Sequence, residues 1–326
     1  MLHFTEVLSL LDNNQYYSGQ ALAKRFNVTR ATIHNCIVKI ESLGIAIERV
    51  RGLGYRLAHP LDLLNRSEIL KKVSIESRDE LKDIHCLQKV DSTNQFAAEL
   101  GLPQEGRFSV VLSEMQSAGK GRRGRHWVSP YAANIYMSVL WPLQRPLNET
   151  GMLSPLLAIG MLNALNSLDV AGLGLKWPND IYCNGKKLAG LLVECSGEIS
   201  GGCKMVVGMG VNIYMSQVEG VQIDQQWTDI RSETPQWQFS RNDVAAELIN
   251  HCYDSLVQFE KDSYNRLNDD WSRWDILKDK RVDLHTANFV QSGMSRGIDN
   301  DGCLLLETSK GVEKFSAGDV SLRASK

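Results

Sequence analysis

The strongest constraint on the fold is a stripe of apolar residues near the N-terminus. Its members recur with the spacing of one face of an α-helix and are Ile33, Ile37, Ile40 and Leu43. Thr29 is a good N-cap for this helix, and Gly44 is a good stop signal. The segment therefore predicts a helix that buries one face and leaves polar side chains on the others.

The residues around this helix predict a small domain over residues 1–60. Further helices are predicted at 2–11 and 18–26, and short strands at 45–50 and 55–57. Ser18 is a suitable N-cap, and the turn between the strands contains two glycines. This order predicts a winged helix-turn-helix, in which the third helix enters the major groove of DNA and the basic hairpin, or wing, holds phosphates.

The charge distribution supports a DNA-facing role for this first segment alone. Residues 1–60 carry seven Lys or Arg against four Asp or Glu, whereas the whole chain has a net charge of −2 and is no nucleic-acid-coating polycation. The predicted DNA contacts are Arg30, Thr32, Asn35, Lys39, Arg51 and Arg56. The alternative is a small helical cap whose polar face is merely solvated.

Residues 65–275 and 276–326 predict two further domains. In the first, strands are predicted at 109–114, 134–141, 188–195 and 205–213. Helices are predicted at 65–72, from the first turn at Pro155 to Leu168, and after a capping box formed by Ser240 and Asp243. This alternation indicates an α+β domain. In the last segment, short strand-like runs separated by turns such as 299–302 predict a small β-barrel.

Length and composition exclude several classes of protein. The chain has 326 residues, 43% hydrophobic and 23% charged, which indicates globular domains and not a disordered chain. Its seven cysteines include no C-x-x-C pair and its seven histidines show no ligand spacing, so we predict reduced thiols and no metal site. The most apolar window, residues 155–165, is too short to cross a bilayer, and no signal peptide is recognisable. We therefore predict a cytoplasmic protein without a membrane partner.

A glycine-rich segment, Gly119–Gly124, formally matches the G-x-G-x-x-G pattern of dinucleotide-binding proteins. That interpretation fails because a strand follows the glycines where the fingerprint needs a helix. The segment nevertheless concentrates four cations, Lys120, Arg122, Arg123 and Arg125. Backbone N–H groups and guanidinium groups together suit a polyphosphate or an acyl-adenylate, and the alternative is a disordered basic surface loop.

A second polar motif precedes an apolar strand. Residues 176–180 read Lys-Trp-Pro-Asn-Asp, and Lys187 follows seven residues after Asp180. A lysine beside an apolar strand ordinarily extends its charge into solvent from the strand end. The alternative is a cation at the edge of a site, where it would neutralise a carboxylate or phosphate.

Five motifs together carry a resemblance to a known family. They are Asp91-Ser92-Thr93-Asn94, the basic loop 119–125, the segment 176–180, the segment Lys187–Glu194 and Gly208-Met209-Gly210-Val211-Asn212. In this order and spacing, with the predicted winged helix and β-barrel, the chain resembles bacterial biotin protein ligases that also repress the biotin operon. The resemblance covers essentially the whole chain, and it implies that the C-terminal barrel is SH3-like.

The resemblance implies a two-step reaction and a regulatory function. Members of the family join biotin to ATP with Mg²⁺, giving biotinyl-5′-AMP, and transfer biotin to one lysine of the biotin carboxyl carrier protein of acetyl-CoA carboxylase. The homodimer bound to biotinyl-5′-AMP represses the biotin operon by binding its operator DNA. Three alternatives stay open: a ligase that no longer regulates, a regulator that has lost catalysis, and a lipoate ligase.

The resemblance also implies roles for individual residues. Those expected to bind biotin are Ser92, Thr93, Asn94, Gln116, Lys120, Gly121, Arg122 and Lys187. Those expected to bind the nucleotide are Arg122, Arg125, Trp127, Lys176, Asn179, Asn212 and Trp227. The alternatives are a helix cap at residues 92–94 and core packing for Asn212 and the two tryptophans.

The expected catalytic residues are Lys187, Asp180, Arg122 and Lys120. Lys187 would neutralise the two anions that meet in adenylate formation, and Asp180 would orient and deprotonate the acceptor lysine. Lys120 stands where the family usually has arginine, so this position keeps its charge and loses the planar bidentate geometry.

Overall fold

The computed structural model describes residues 2–103, 107–198, 201–215, 219–261, 264–286, 289–317 and 321–324. These divide into two compact units. The first comprises Met1–Leu63 with Pro130–Ala132, and the second comprises Leu64–Ser129 with Ala133–Lys326. No described helix is both long enough and apolar enough to cross a membrane.

The first unit contains the predicted helices and the predicted hairpin. Its elements are α1 (Phe4–Leu11), α2 (Gly19–Arg25), α3 (Arg30–Ser42), β1 (Ile47–Val50) and β2 (Gly54–Leu57). The Ser18 and Thr29 hydroxyls accept the backbone N–H groups of Ala21 and Thr32, which confirms both predicted N-caps. The three isoleucines of the α3 stripe are fully buried, whereas Leu43 caps the helix and is only partly buried.

The wing is a two-stranded antiparallel hairpin in which Val50 pairs with Gly54. Gly54 has a φ of +116°, and a Cβ atom there would lie 2.1 Å from the Tyr17 carbonyl oxygen. Only glycine allows the strand to approach the Tyr17 backbone this closely. The wing is therefore fixed to the segment that precedes α2.

A seven-stranded mixed sheet forms the centre of the second unit. Its strands are β3 (Leu81–Leu87), β4 (Phe108–Ser113), β5 (Ile135–Leu143), β6 (Leu173–Lys176), β7 (Asp180–Cys183), β8 (Lys186–Glu198) and β9 (Gly201–Val211). The order is β3-β4-β5-β9-β8-β7-β6, and only β3 and β4 are parallel. The four predicted strands correspond to β4, β5, β8 and β9. The sequence pattern did not reveal β3, β6 and β7.

Helices cover both faces of this sheet. They are α4 (Arg66–Lys72), α5 (Ile75–Glu80), α6 (Thr93–Glu99), α7 (Leu153–Asn166), α8 (Ile230–Glu233), α9 (Arg241–Glu260) and α10 (Leu267–Ser272). Helices α7 and α9 pack on one face in the main core, and α6 packs on the other through Ala97. The Ser240–Asp243 capping box is confirmed by both of its hydrogen bonds. Pro155 lies in the first turn of α7, as predicted, and a 3₁₀ turn at Leu147–Met152 leads into the helix.

The C-terminal strands form a second sheet within the same unit. They are β10 (Arg281–His285), β11 (Val290–Ile298), β12 (Leu304–Thr308), β13 (Gly311–Phe315) and β14 (Ser321–Ala324), all antiparallel in the order β13-β12-β11-β10-β14. Its buried residues, such as Val282 and Leu306, join the main core. The predicted turn at 299–302 is confirmed by a hydrogen bond from the Gly302 N–H to the Asp299 carbonyl. Among the described residues no ladder joins β13 to β14, so the closed SH3-like barrel stays a prediction.

Candidate active site

A cavity of about 730 Å³ lies in the second unit, between the start of α6, the basic loop and strands β7 to β9. The predicted site residues that line it are Ser92, Thr93, Asn94, Gln116, Lys120, Gly121, Arg122, Arg125, Trp127, Lys176, Asn179, Asp180 and Lys187. Residues as far apart in the chain as Ser92 and Lys187 thus line the same cavity. Two predicted residues, Asn212 and Trp227, do not line it.

A buried cluster of polar side chains forms one end of the cavity. Gln116 accepts the backbone N–H of Thr93 at 2.8 Å and donates from its Nε2 atom to the Ser129 hydroxyl at 3.1 Å. Ser92 is the N-cap residue of α6, but its hydroxyl makes no capping hydrogen bond. The Ser92 hydroxyl therefore does not cap the helix, in contrast to the alternative interpretation of residues 92–94 as a helix cap.

An ion pair stands at the centre of the cavity. Lys187 Nζ lies 2.7 Å from Asp180 Oδ1, with 13% and 22% of the two side chains exposed. A register shift between β7 and β8 places Tyr182 opposite Lys187, and Asp180 opposite Gly190. The lysine ammonium also lies 5.5 Å from the centroid of the Trp127 ring. The hairpin thus holds one cation in a largely desolvated position, where its electrostatic effect on a bound anion is strongest.

The basic loop crosses the cavity and is anchored at two points. A Cβ atom at Gly119 would lie 2.5 Å from the Trp127 carbonyl oxygen, so the loop can close on itself only with glycine there. Arg122 donates to Asn179 Oδ1 at 3.2 Å and also to the Ala317 carbonyl. Lys120 and Arg125 are exposed, so their charges can reach a bound anion.

Trp127 lies flat against the bare backbone of Gly210. A Cβ atom at Gly210 would lie 2.5 Å from the ring, which explains the glycine near the end of β9. The indole Nε1 atom is buried and has no hydrogen-bond acceptor among the described residues. A buried donor of this kind suits an acceptor on a ligand.

Lys176 and Tyr182 form a second polar wall. Lys176 Nζ lies 3.1 Å from the Tyr182 hydroxyl oxygen and 5.1 Å from the centroid of its ring. Burial raises the pKa of Tyr182, so this phenol remains a hydrogen-bond donor at neutral pH. The Asn179 amide is fixed by donating to the Leu191 carbonyl. The sequence patterns did not single out Tyr182, which lies between Ile181 and Cys183 in β7.

Asn212 and Trp227 lie beside the strand that carries Lys187. The Asn212 amide donates to the Thr228 carbonyl at 3.0 Å, and Trp227 packs on Gly220. The Thr228 N–H in turn donates to the Lys187 carbonyl at 2.9 Å. Neither residue lines the cavity, and the expected contact of both with the nucleotide stays a prediction.

The predicted DNA-contacting residues belong to the first unit. Arg30, Asn35, Lys39 and Arg51 are exposed, and Thr32 is partly buried. Arg56 is only partly exposed. Its guanidinium contacts Glu48 at 2.6 Å, donates to Asn14 at 2.9 Å and lies 4.7 Å from the centroid of the Tyr16 ring. These contacts join the wing to the segment before α2, and the expected contact of Arg56 with DNA stays a prediction.

Comparisons with known proteins agree with this arrangement. Residues 86–212 match the biotin/lipoate A/B protein ligase family, residues 5–56 match an HTH domain, and residues 279–323 match the biotin protein ligase C-terminal domain. The three matches follow the chain in the order of the predicted segments.

The similarity to whole proteins extends over nearly the entire chain. It is 33% identical to the bifunctional ligase/repressor BirA of Escherichia coli, over 98% of this chain and 97% of that protein. The bifunctional ligase/repressor BirA of Bacillus subtilis is 28% identical, over 95% of this chain and 94% of that protein. The solved biotin protein ligase of Aquifex aeolicus in complex with biotin and ATP covers 75% of this chain and 100% of its own, with 25% identity and a TM-score of 0.65. The chain therefore belongs to the family of bifunctional biotin ligase/repressor proteins.

Proposed function

We propose that this protein forms biotinyl-5′-AMP from biotin and ATP in the cavity and then transfers biotin to a lysine of a carrier protein. The observation that carries the proposal is the Lys187–Asp180 pair, because it places a cation and a carboxylate 2.7 Å apart where both steps need them. The carrier that fits the family is the biotin carboxyl carrier protein of acetyl-CoA carboxylase.

In the first step a biotin carboxylate oxygen attacks the α-phosphorus of ATP, and the bond to pyrophosphate breaks. Two anions must approach each other, so cations have to neutralise the charge that develops between them. Lys187 is placed to do this, while Lys120 and Arg122 of the basic loop enclose the product and exclude water. The nucleotide is bound in addition by Arg125, Lys176 and the Trp127 N–H.

Biotin presents a cyclic urea, whose N–H groups and carbonyl need several hydrogen bonds at once. Ser92, Thr93 and Gln116 supply hydroxyl and amide groups at the buried end of the cavity. We propose that these groups and Arg122 bind the ureido ring, with Asn94 and Gly121 completing its surroundings. The apolar side chains of Met137, Leu191, Leu192 and Met209 line the same cavity.

In the second step the acceptor lysine must lose a proton. With an ordinary pKa near 10.4, only about one part in 2,500 of such a lysine is neutral at pH 7. When the adenylate draws Lys187 toward its phosphate, the Asp180 carboxylate becomes available to take that proton. No cysteine lines the described part of the cavity, and burial raises the pKa of Cys86 and Cys183 to about 11, so the transfer is direct.

The described residues do not fit a resident Mg²⁺ site. No group of three acidic, His or Cys side chains among them could hold a metal ion, and Asp180 is already paired with Lys187. Mg²⁺ usually reaches such sites on the phosphates of its nucleotide. In the proposed reaction the side chains of the protein itself therefore bind the anions and move the proton.

We propose that the regulatory function belongs to a homodimer bound to biotinyl-5′-AMP. A ligand that orders the basic loop lowers the later entropic cost of assembling an interface. The dimer would place two copies of α3 in successive major grooves of the biotin operator. The three domains we propose are the winged helix at 1–60, the ligase at 65–275 and the SH3-like β-barrel at 276–326.

One experiment tests both functions together. Purified protein is assayed for biotin transfer to a carrier domain and for operator binding, with and without biotin plus ATP. Arg30→Ala is expected to weaken operator binding about five- to thirty-fold, which corresponds to roughly 1–2 kcal/mol, while ligation is unchanged.

Lys71→Ala is the matched control, because Lys71 is an exposed lysine of the second unit. It should leave operator binding and ligation unchanged. An equal fall in ligation for Arg30→Ala would contradict the separation of the two functions. Equal operator affinity with and without biotin plus ATP would contradict the coupling between adenylate binding and operator binding.

Lys120→Arg is expected to slow the release of biotinyl-5′-AMP. An arginine could hold the phosphate with two parallel hydrogen bonds worth roughly 1–2 kcal/mol, so release should slow about five- to thirty-fold. The rate of adenylate formation should change little because the charge is retained. A chase of radiolabelled adenylate measures the release, and equal or faster release from the variant would show that Lys120 does not close over the intermediate.

A further inference from the structure

We propose that the Tyr182 hydroxyl is a further ligand-binding group of the cavity and that it donates a hydrogen bond to the α-phosphate of the nucleotide, the phosphate that remains in biotinyl-5′-AMP. Tyr182 lies outside all the motifs that carry the family resemblance. The inference rests on the proposed function, because it names one more partner for the intermediate formed in the same cavity.

Strand β7 turns the Tyr182 side chain into the cavity. Its neighbours Ile181 and Cys183 are fully buried in the main core. Because side chains alternate between the two faces of a strand, Asp180 and Tyr182 share the opposite face, and both line the cavity. Tyr182 is nevertheless only 9% exposed, so its hydroxyl is largely removed from bulk solvent.

Lys176 determines how the Tyr182 hydroxyl is used. Lys176 Nζ lies 3.1 Å from the Tyr182 Oη atom and 5.1 Å from the centroid of its ring. An ammonium group has only donors, so the phenol oxygen must be the acceptor in this contact. The hydroxyl proton therefore points away from Lys176 and is left for another acceptor.

That proton has no acceptor among the residues that the structure describes. The contact with Lys176, in which the phenol oxygen accepts, is the hydrogen bond that these residues give to the Tyr182 hydroxyl. A buried donor has lost its hydrogen bonds to bulk water, and buried polar groups in folded proteins generally have a partner. A donor of this kind on the wall of a cavity suits a ligand that brings an acceptor.

The charges around the hydroxyl indicate that this acceptor is an anion. Lys187 is the register partner of Tyr182 in β8. Burial and the Asp180 carboxylate raise the pKa of Tyr182. The positive charges of Lys187 and Arg125 act in the opposite direction, but the net shift of this pKa is upward. The phenol therefore stays protonated beside these cations and Lys176, where it can donate to an anionic ligand.

Two anions can reach this part of the cavity, and the neighbours of Tyr182 favour the phosphate. The biotin carboxylate loses its charge when the adenylate forms, whereas the α-phosphate keeps a negative charge in both ATP and biotinyl-5′-AMP. Lys176, which holds the phenol oxygen, belongs to the nucleotide-binding part of the proposed site. Lys187, opposite Tyr182, is the residue proposed to neutralise the α-phosphate. Both lysines therefore favour a hydrogen bond from Tyr182 to that phosphate.

Tyr182→Phe tests the assignment, because it removes the hydroxyl and keeps the ring that contacts Lys176. Purified protein is titrated with biotinyl-5′-AMP and, separately, with biotin alone. We expect the Kd for biotinyl-5′-AMP to rise roughly ten- to a hundredfold, the range for one hydrogen bond to a charged group. The Kd for biotin should stay within about twofold of the parent value, because biotin carries no phosphate.

Tyr264→Phe is the matched control for the loss of a tyrosine hydroxyl. The Tyr264 hydroxyl donates to Asp270 at 2.8 Å, and the residue does not line the cavity. Neither Kd should change in this variant. Similar rises of both Kd values in Tyr182→Phe and in Tyr264→Phe would indicate a general loss of structure and would overturn the assignment.

A double variant separates a direct contact from an effect through Lys176. Lys176→Met removes the ammonium and keeps a long apolar side chain. A direct hydrogen bond predicts that adding Tyr182→Phe to Lys176→Met still raises the Kd for biotinyl-5′-AMP at least about fivefold. If Tyr182 acted only by holding Lys176, the second substitution would cost nothing further, and that result would overturn the proposal.

The remaining outcomes keep this inference distinct from the proposed function. A parent protein that makes no biotinyl-5′-AMP from biotin and ATP would contradict the proposed function, whereas the titrations use added adenylate and do not depend on its synthesis. An unchanged Kd for biotinyl-5′-AMP in Tyr182→Phe would overturn the contact, since the hydroxyl would then face only water. An equal rise in the Kd for biotin would also overturn it, because the partner would then be the biotin carboxylate.

Discussion

Lys187→Ala is expected to lose biotinyl-5′-AMP formation by at least two to three orders of magnitude while the protein stays folded. Removing one preorganised group that stabilises transition-state charge typically costs about 10²–10³ in rate. Here the lost group is the cavity cation paired with Asp180, 13% exposed and held over the Trp127 ring. Without it, the biotin carboxylate and the α-phosphate repel each other, and Asp180 adds a third negative charge.

The measurement is biotin-dependent release of pyrophosphate at saturating ATP. Lys186→Ala is the matched control, because Lys186 is the adjacent residue and points toward Glu233 at 3.5 Å, outside the cavity. It should retain nearly full activity. Near-normal pyrophosphate release by Lys187→Ala would contradict the catalytic role proposed for Lys187.

Arg241→Ala is expected to lower the free energy of unfolding by about 3–5 kcal/mol, the usual cost of breaking a buried ion pair by removing one partner. Arg241 and Glu114 are both only 2% exposed, and their side chains are 2.7 Å apart. Arg241 also donates twice to the Asn134 carbonyl, at 2.7 and 3.0 Å. The variant leaves a buried carboxylate and a buried carbonyl without these donors.

Urea unfolding of the two proteins gives the comparison. Arg266→Ala serves as the control, because the Arg266–Asp270 pair is 3.6 Å apart and the arginine is 60% exposed, so its removal should cost at most about 1 kcal/mol. The double variant Glu114→Gln with Arg241→Met should be more stable than Arg241→Ala, since it buries no unpaired charge. A loss of less than 1 kcal/mol for Arg241→Ala would show that water reaches the pair.

Elements with local signals could be predicted from the sequence. The isoleucine stripe with its Thr29 cap predicts α3, and Ser240 with Asp243 predicts the start of α9, because both patterns act within one or two helical turns. The motif residues also identified most of the cavity wall through the family resemblance. Short strands such as β6 and β7 were missed because four residues carry too little periodicity.

Which of these residues meet depends on the tertiary structure. Arg56 resembles Arg51 in the sequence, yet the hairpin register sets it opposite Glu48, whose carboxylate contacts its guanidinium. Trp127 and Trp227 are equally plausible ligand contacts in the sequence, and in the structure Trp127 lines the cavity whereas Trp227 does not.

The clearest case is the contact between Asn94 and Glu194, which joins a helix start to the middle of a strand 100 residues later. Its existence depends on the register of β8 against β9 and on the bare backbone at Gly208. A shift of one residue in that register would turn Glu194 to the other face of the sheet. Hydrogen bonds and ion pairs act over a few ångströms of space. A pattern in the sequence therefore cannot identify partners that are far apart in the chain and that only the folded structure brings together.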